Sequence, residues 1–445
     1  MERGVDAEKQ GLVKLSLMAL AGGVAIGLLG GLFRYLLSAA DDRRSGLIES
    51  AGGWGWAGFL LVVGAVAFLA AAARALVRLA PLAAGSGVQH VEAVMRGEAA
   101  AAPWRVLPVK FFGGLVAIGG GLALGREGPT VQMGATIGST IAGWCRMDAA
   151  DIRDLQSAMA GAGLAVAFNA PVAGMLFVFE EVARVFRMRL TVAALIAGSS
   201  AVAVSRLLLG DQPDFLVGDA VVPGVPTTAA CLVMGCLLGA MGVLYNLTVV
   251  GGLELASRWP SIPPEVIAAA VGAFVAAVGW FAPEWIGGGD PLNQQLLIAA
   301  PPIAVLLLIF AVRWVLGVAS YAAGTPGGLF APLLVLGTSA GLLFSSGANA
   351  MFPGLIEPQA AALVAMVAFF TAVVRAPLTG IVLLSEMAAT TNLLIPMIAA
   401  AFGATTTATL LGGPPIYDTL RERMLAASCI AQQHPKAKTR TVPGK

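Results

Sequence analysis

The stretch GLALGREGPTVQMGATIG, from Gly121 to Gly138, sets Arg126 and Glu127 side by side in a run otherwise nearly free of charge. An acid in that place, followed by Gly128 and Pro129, has the chemistry of an ion gate. A helix that begins inside a membrane leaves its first N–H groups unpaired, with about half a positive charge behind them. Such an end binds anions. Pro129 suits a first helical turn, where a missing N–H costs nothing, and the glycines before it let the backbone approach an ion closely. Glu127 lies just before this expected helix start, so its carboxylate is held by the same kind of donor that attracts a free anion, and the two compete. Protonation weakens the carboxylate's hold, which links a proton on Glu127 to an anion in the site. The competing reading, a static Glu127–Arg126 pair, is disfavoured because adjacent residues on a helix do not face each other.

The elements that must position Glu127 occur twice. GREGPTVQMGATIG (Gly125–Gly138) superposes on GLFAPLLVLGTSAG (Gly328–Gly341), matching Gly125 to Gly328, Pro129 to Pro332, Gly134 to Gly337 and Gly138 to Gly341. Downstream, APVAGMLFVFE (Ala170–Glu180) superposes on APLTGIVLLSE (Ala376–Glu386). Two matches in register, at nearly the same offset, imply an internal duplication of the kind many transporters carry. If the halves are inverted, their equivalent helix breaks meet near the membrane midplane. The plainer alternative is that Gly and Pro here only permit close helix packing.

Composition places these elements in a membrane. The 445 residues are 58% hydrophobic and 12% charged, with a mean hydropathy of +0.85, whereas soluble domains run near ~25% charged. Apolar runs at Leu17–Phe33, Trp56–Ala73, Thr227–Val250, Pro301–Val318 and Leu393–Leu411 approach or reach the ~20 residues a spanning helix needs. A β-barrel would alternate instead. The N-terminal MERGVDAEKQ mixes charges and precedes an apolar segment longer than a signal peptide's, so it is expected to be retained.

Short loops give an orientation. Arg184, Arg187 and Arg189 follow Phe179, while GDQPDFLVGDA (Gly210–Ala220) is purely acidic, so the first is expected in the cytosol and the second outside. The tail from Tyr417 onward, with Lys436, Lys438, Arg440 and Lys445, is basic and is likewise expected in the cytosol. Cys145, Cys231, Cys236 and Cys429 form no CxxC pair and are read as small hydrophobes, neither metal ligands nor a disulfide. No basic stripe interleaved with aromatics points to nucleic acid. No HExxH motif appears, and His90 and His434 lie in no recognisable catalytic arrangement, so an enzyme is not expected.

Taken in order, Gly85-Ser86-Gly87, GREGP (Gly125–Pro129), AFNAP (Ala167–Pro171), Glu180-Glu181, GGLFAP (Gly327–Pro332) and Tyr417 resemble the CLC family of chloride channels and proton–chloride exchangers, bacterial exchanger type. The resemblance runs from about Leu17 to Leu425. It implies that Ser86 and the Tyr417 hydroxyl contact a central anion, with the backbone N–H groups of Leu329 and Phe330 pointing at it. It implies that Glu127 is the gating and proton-accepting glutamate, and that Glu181 is the inner glutamate through which protons reach the cytosol. Channels of the family usually lack an acid there. On charge grounds Glu181, lying just before the arginine cluster, is expected to face the inner water, with Glu180 the structural member of the pair.

The implied fold is an all-α integral membrane protein with many tilted and broken helices in two inverted repeats. The expected divisions are a cytosolic segment 1–16, a first transmembrane half 17–220, a second half 221–425 and a basic tail 426–445. The resemblance further implies a homodimer in membrane lipid, with one pathway per subunit and no cofactor beyond chloride as substrate ion. The intact Gly85-Ser86-Gly87 favours chloride over nitrate, whose transporters resemble Gly-Pro-Gly at this motif. A proton–chloride antiporter of the cell inner membrane, supporting acid resistance or ion homeostasis, is the leading reading, and a passive chloride channel is the alternative. One departure stands out: Gln89 and His90 occupy the places of a proline and an acid, while Glu92 remains.

Overall fold

Apolar sequence broken by glycine and proline folds into helices of unequal length. The computed structural model describes residues 2–217 and 223–433. The first half holds α1 (Glu2–Gly52), α2 (Trp56–Leu76), α3 (Val88–Met95), α4 (Val106–Gly119), α5 (Glu127–Trp144), α6 (Ala149–Phe168), α7 (Pro171–Phe177) and α8 (Met188–Leu209). The second holds α9 (Val225–Ser257), α10 (Pro264–Phe281), α11 (Asp290–Ile298), α12 (Ile303–Ala322), α13 (Phe330–Met351), α14 (Pro358–Val374), α15 (Pro377–Met387), α16 (Leu394–Leu410) and α17 (Ile416–Gln433). Among the described residues, seven helices are long and apolar enough to cross a membrane. The expected spans beginning at Trp56, Thr227, Pro301 and Leu393 fall within or nearly on α2, α9, α12 and α16. Leu17–Phe33 is the middle of the much longer α1. His434, the tail's Lys436, Lys438, Arg440 and Lys445, and residues 218–220 of the acidic loop lie outside the described residues.

The duplication is visible in the packing. α5 lies on α6 as α13 lies on α14, and α1 lies on α8 as α9 lies on α16. Gly134 and its counterpart Gly337 explain the first correspondence, because a Cβ on either would collide with the partner helix, at the Met159 carbonyl and at Met366 respectively. Gly138 and Gly341 do the same one turn later, against Gln156 and Met159 and against Ala361 and Ala362. For these four, close packing is the correct reading. The spacing Gly337-Thr338-Ser339-Ala340-Gly341 also matches a GxSxG nucleophile elbow, but it lies within α13, where Ser339 Oγ donates to the Val335 carbonyl at 2.9 Å. It is a packing stripe.

Gly125 and Gly328 behave differently. Each N–H donates to the other's carbonyl, at 2.8 and 2.7 Å, in an antiparallel bridge between the two halves. A parallel bridge adds the third break, with Gly85 N–H donating to Thr325 O at 3.1 Å and Gly327 N–H to Gly85 O at 3.0 Å. Non-helical backbone survives at membrane depth only where protein or a water-lined path satisfies it. Here the breaks satisfy one another.

A second exchange ties the halves together. Glu180, in the π-helical turn Val178–Val182 that continues α7, accepts from the N–H groups of Leu378 (2.9 Å) and Thr379 (2.6 Å) at the start of α15. Its counterpart Glu386 accepts from Val172 (3.1 Å) and Ala173 (2.8 Å) at the start of α7. Each carboxylate thus caps the other repeat's helix, where the orphan donors and the helix dipole favour negative charge. Replacing a capping side chain with alanine costs about 0.5–2 kcal/mol. Glu386→Ala and Glu180→Ala should each lower the melting temperature in detergent, and equal melting of parent and variants would show that the caps carry no stability.

Candidate functional site

The junction of the three breaks positions every residue that follows. Glu127 is the first residue of α5 and is fully buried, its side chain threaded between Gly125 and Gly328, where a Cβ on either glycine would overlap the carboxylate. One carboxylate oxygen accepts from the N–H groups of Phe330 (2.6 Å) and Ala331 (3.2 Å). Those amides start α13, so the donors that hold the acid come from the opposite half, not from its own helix. Phe330 is also one of the two residues, with Leu329, whose amides are expected to point at a bound anion. The other oxygen, Oε2, has no protein partner among the described residues.

The α13 start is itself held by rings. Phe330 packs against Phe370, Tyr417, Phe177 and Phe168, with centroids 4.9, 5.7, 5.8 and 6.3 Å away. This fixes the direction of the Phe330 N–H. Tyr417, on α17, is fully buried and faces Ser86 Oγ without closing a hydrogen bond of normal geometry; both hydroxyls lack a partner among the described residues. Tyr417 also lies within electrostatic reach of both Glu127 and Glu181. Buried hydroxyls are normally hydrogen-bonded, so two that converge without partners fit a bound anion.

The Ser86 loop is tied down by a buried lysine. Lys110, buried in α4, donates from Nζ to the carbonyls of Ala83 (3.1 Å) and Gly85 (2.7 Å) and has no ion pair among the described residues. Gln89 supplies what the missing proline would have given, since its Oε1 accepts from Gly87 N–H at 3.1 Å and closes the turn. His90 is buried beneath this turn, bonded to the Ala100 backbone, and is not the polar interfacial group that its type suggests.

Arg126 turns away from Glu127. Its guanidinium reaches Asp290 (2.6 Å), Asp214 (3.5 Å) and the Ala167 carbonyl (2.8 Å), and Arg34 binds Asp214 at 2.7 Å. These charges line a cavity of about 420 Å³ that ends on Gly125 and Ala331, one wall away from the carboxylate.

Glu181, in the turn Val178–Val182, corrects an expectation. It is buried, not open to water, because Arg184 (3.3 Å) and Asp418 fold over it, joined to each other at 3.2 Å. Its carboxyl group lies near that of buried Glu92 on α3, and Glu181 Oε1 and both Glu92 oxygens have no hydrogen-bond partner among the described residues. Two carboxyl groups buried side by side can bond to each other only through a proton on one of them. Sequence reasoning registered Glu92 but gave it no role, for lack of any sign that α3 packs beside the turn bearing Glu181.

Fold and site together define a membrane transport protein for small anions. The chain matches the voltage gated chloride channel family model over residues 68–409 and belongs to that family. The H(+)/Cl(-) exchange transporter ClcA of Vibrio cholerae is 38% identical over 429 residues, covering 94% of this chain and 91% of the relative. ClcA of Salmonella arizonae is 36% identical over 440 residues, covering 96% and 92%. A crystal structure of a slow cyanobacterial Cl-/H+ antiporter superposes with a TM-score of 0.88 at 30% identity, covering 93% of this chain and 98% of that one.

Tyr417→Ala removes a ring packed on Phe330 as well as one hydroxyl. A neutral hydrogen bond contributes about 0.5–1.5 kcal/mol, and the Phe330 and Ala331 amides remain. Calorimetric chloride binding should therefore weaken without vanishing, and unchanged affinity would remove Tyr417 from the anion site.

Proposed function

We propose that this chain exchanges chloride for protons in opposite directions, with Glu127 as the gate at which the two ions meet. The observation that carries this reading is the Glu127 carboxylate on the Phe330 and Ala331 amides, beside Ser86 and Tyr417. A carboxylate and a chloride ion ask for the same N–H donors, so only one holds them at a time. A proton delivered to Glu127 weakens its grip, the side chain leaves, and chloride takes the amides. Chloride displaces the neutral acid more readily than the anionic one, which links the two occupancies. The relatives named as H(+)/Cl(-) exchange transporters support exchange over passive conduction.

Protons need a second route, and Glu181 with Glu92 supplies its inner end. The pair would share a proton behind the Arg184–Asp418 cover, and Tyr417 lies within electrostatic reach of both Glu181 and Glu127. Chloride passes the Ser86 loop instead, which Lys110 holds in shape through the Gly85 carbonyl. Asp418 neighbours Tyr417 in sequence, so opening the cover is mechanically close to the anion site. We read the Arg184 side, with both termini, as cytosolic in the inner membrane. We also read two copies as pairing, with one pathway each.

Glu127→Ala should leave chloride flux in liposomes intact or faster while abolishing proton movement driven by a chloride gradient. Persistent proton pumping in this variant would sink the gating role. Glu181→Gln keeps shape and removes titration, so proton transport should stop while chloride flux continues; Glu180→Gln, which retains an acceptor for the α15 cap, should do less. Coupling equal to the parent's in Glu181→Gln would move the proton route elsewhere, and a parent without coupling would favour the channel reading.

A further inference from the structure

One buried hydroxyl next to the anion site is spent on nothing in the protein. Tyr321, in the last turn of α12, is 3% exposed, and its hydroxyl has no hydrogen-bond partner of normal geometry among the described residues. It lies against the Ser86 backbone N–H and 3.3 Å from where a Cβ would stand on Gly85. It is also close enough to Tyr417 for the two phenols to interact electrostatically. Its place in the fold follows from the breaks: α12 ends at Ala322, and the next few residues pair with Gly85 through Thr325 and Gly327.

We propose that Tyr321 is a third hydroxyl donor to the transported anion, acting from the Gly85 side of the path alongside Ser86 and Tyr417. The hydroxyl's oxygen can accept from Ser86 N–H, but its own proton then needs an acceptor. The carbonyl of adjacent Gly85 already takes Lys110 Nζ at 2.7 Å and Gly327 N–H at 3.0 Å. Ser86 Oγ and Tyr417 OH are themselves without partners. Three neighbouring hydroxyl donors, with no carboxylate bonded to any of them, form a lining suited to an anion and poorly suited to a cation. A halide accepts from several donors at once without directional demands, so it satisfies all three. The inference rests on the chloride–proton reading and deepens it by naming a further residue of the anion path.

Tyr321→Phe keeps the ring and removes the donor. Calorimetric titration of the purified full chain with chloride should show affinity about three- to tenfold weaker than the parent's, the size of one neutral hydrogen bond. The rise in melting temperature on adding chloride should shrink accordingly, while melting in chloride-free buffer stays near the parent's. In the double variant with Tyr417→Phe the losses should not add, because both hydroxyls serve one ion. Unchanged chloride affinity in Tyr321→Phe, as expected if the hydroxyl only holds a water, overturns the proposal. So does a lower chloride-free melting temperature with unchanged affinity, the signature of a packing role. A parent that binds no chloride would sink the chloride reading itself and this inference with it.

Discussion

Everything in the molecule depends on how three interrupted helices satisfy their backbone inside a membrane. An unpaired N–H or C=O in hydrocarbon costs several kcal/mol, so a break needs a partner close by. Gly125 and Gly328 supply each other's partner, and Gly85 takes its own from Thr325 and Gly327. Any side chain at Gly125 or Gly328 would occupy the space of the Glu127 carboxylate. The same glycines that let the breaks pair therefore open the slot in which the acid sits. Scaffold and site are one constraint met twice.

From that junction the electrostatics follow. The amides at the start of α13 have no intrahelical acceptor and carry the positive end of the helix dipole, so they require an anionic guest. The protein offers its own guest, Glu127, and keeps Arg126 from neutralising it by engaging the guanidinium with Asp290, Asp214 and the Ala167 carbonyl. Were Arg126 to pair with Glu127, the acid would lose its reason to leave the amides with a proton and return without one. The distant aspartates thus leave the proposed gate free to titrate.

Much of this was legible from residue order, and what was not shares one cause. The membrane class, the helices near Trp56, Thr227, Pro301 and Leu393, and the duplication all come from local composition and spacing, which a single chain displays. Membership in the family was legible as well, through short motifs kept in order. Glu92 beside Glu181, Tyr321 beside Ser86, and Lys110 under the Gly85 loop were not, since each pair joins segments whose proximity no periodicity encodes. Burial of Glu181 was missed for a related reason: a neighbouring arginine cluster signals the membrane face but not whether Asp418, over two hundred positions later, closes above it. Gln89 was seen as a departure, yet its hydrogen bond to Gly87 can be read only once the turn has a shape.

The superposition of the halves also divides building from transport. Positions where the repeats agree are structural: Gly134 and Gly337, Gly138 and Gly341 permit helix contact, Gly125 and Gly328 pair, and Glu180 and Glu386 cap each other's helices. Positions where they disagree carry the proposed chemistry. Glu127 aligns with Phe330, and Glu181 with Met387. Across the pseudo-symmetric junction, Glu127 is thus held by the N–H of its own counterpart, one copy giving the carboxylate and the other the donor. A symmetric pair could not do this: two acids would repel at one site, and two phenylalanines would leave two donor ends with no resident carboxylate. A single gate between two inverted halves needs the repeats to be alike in backbone and unlike in side chain at that one step.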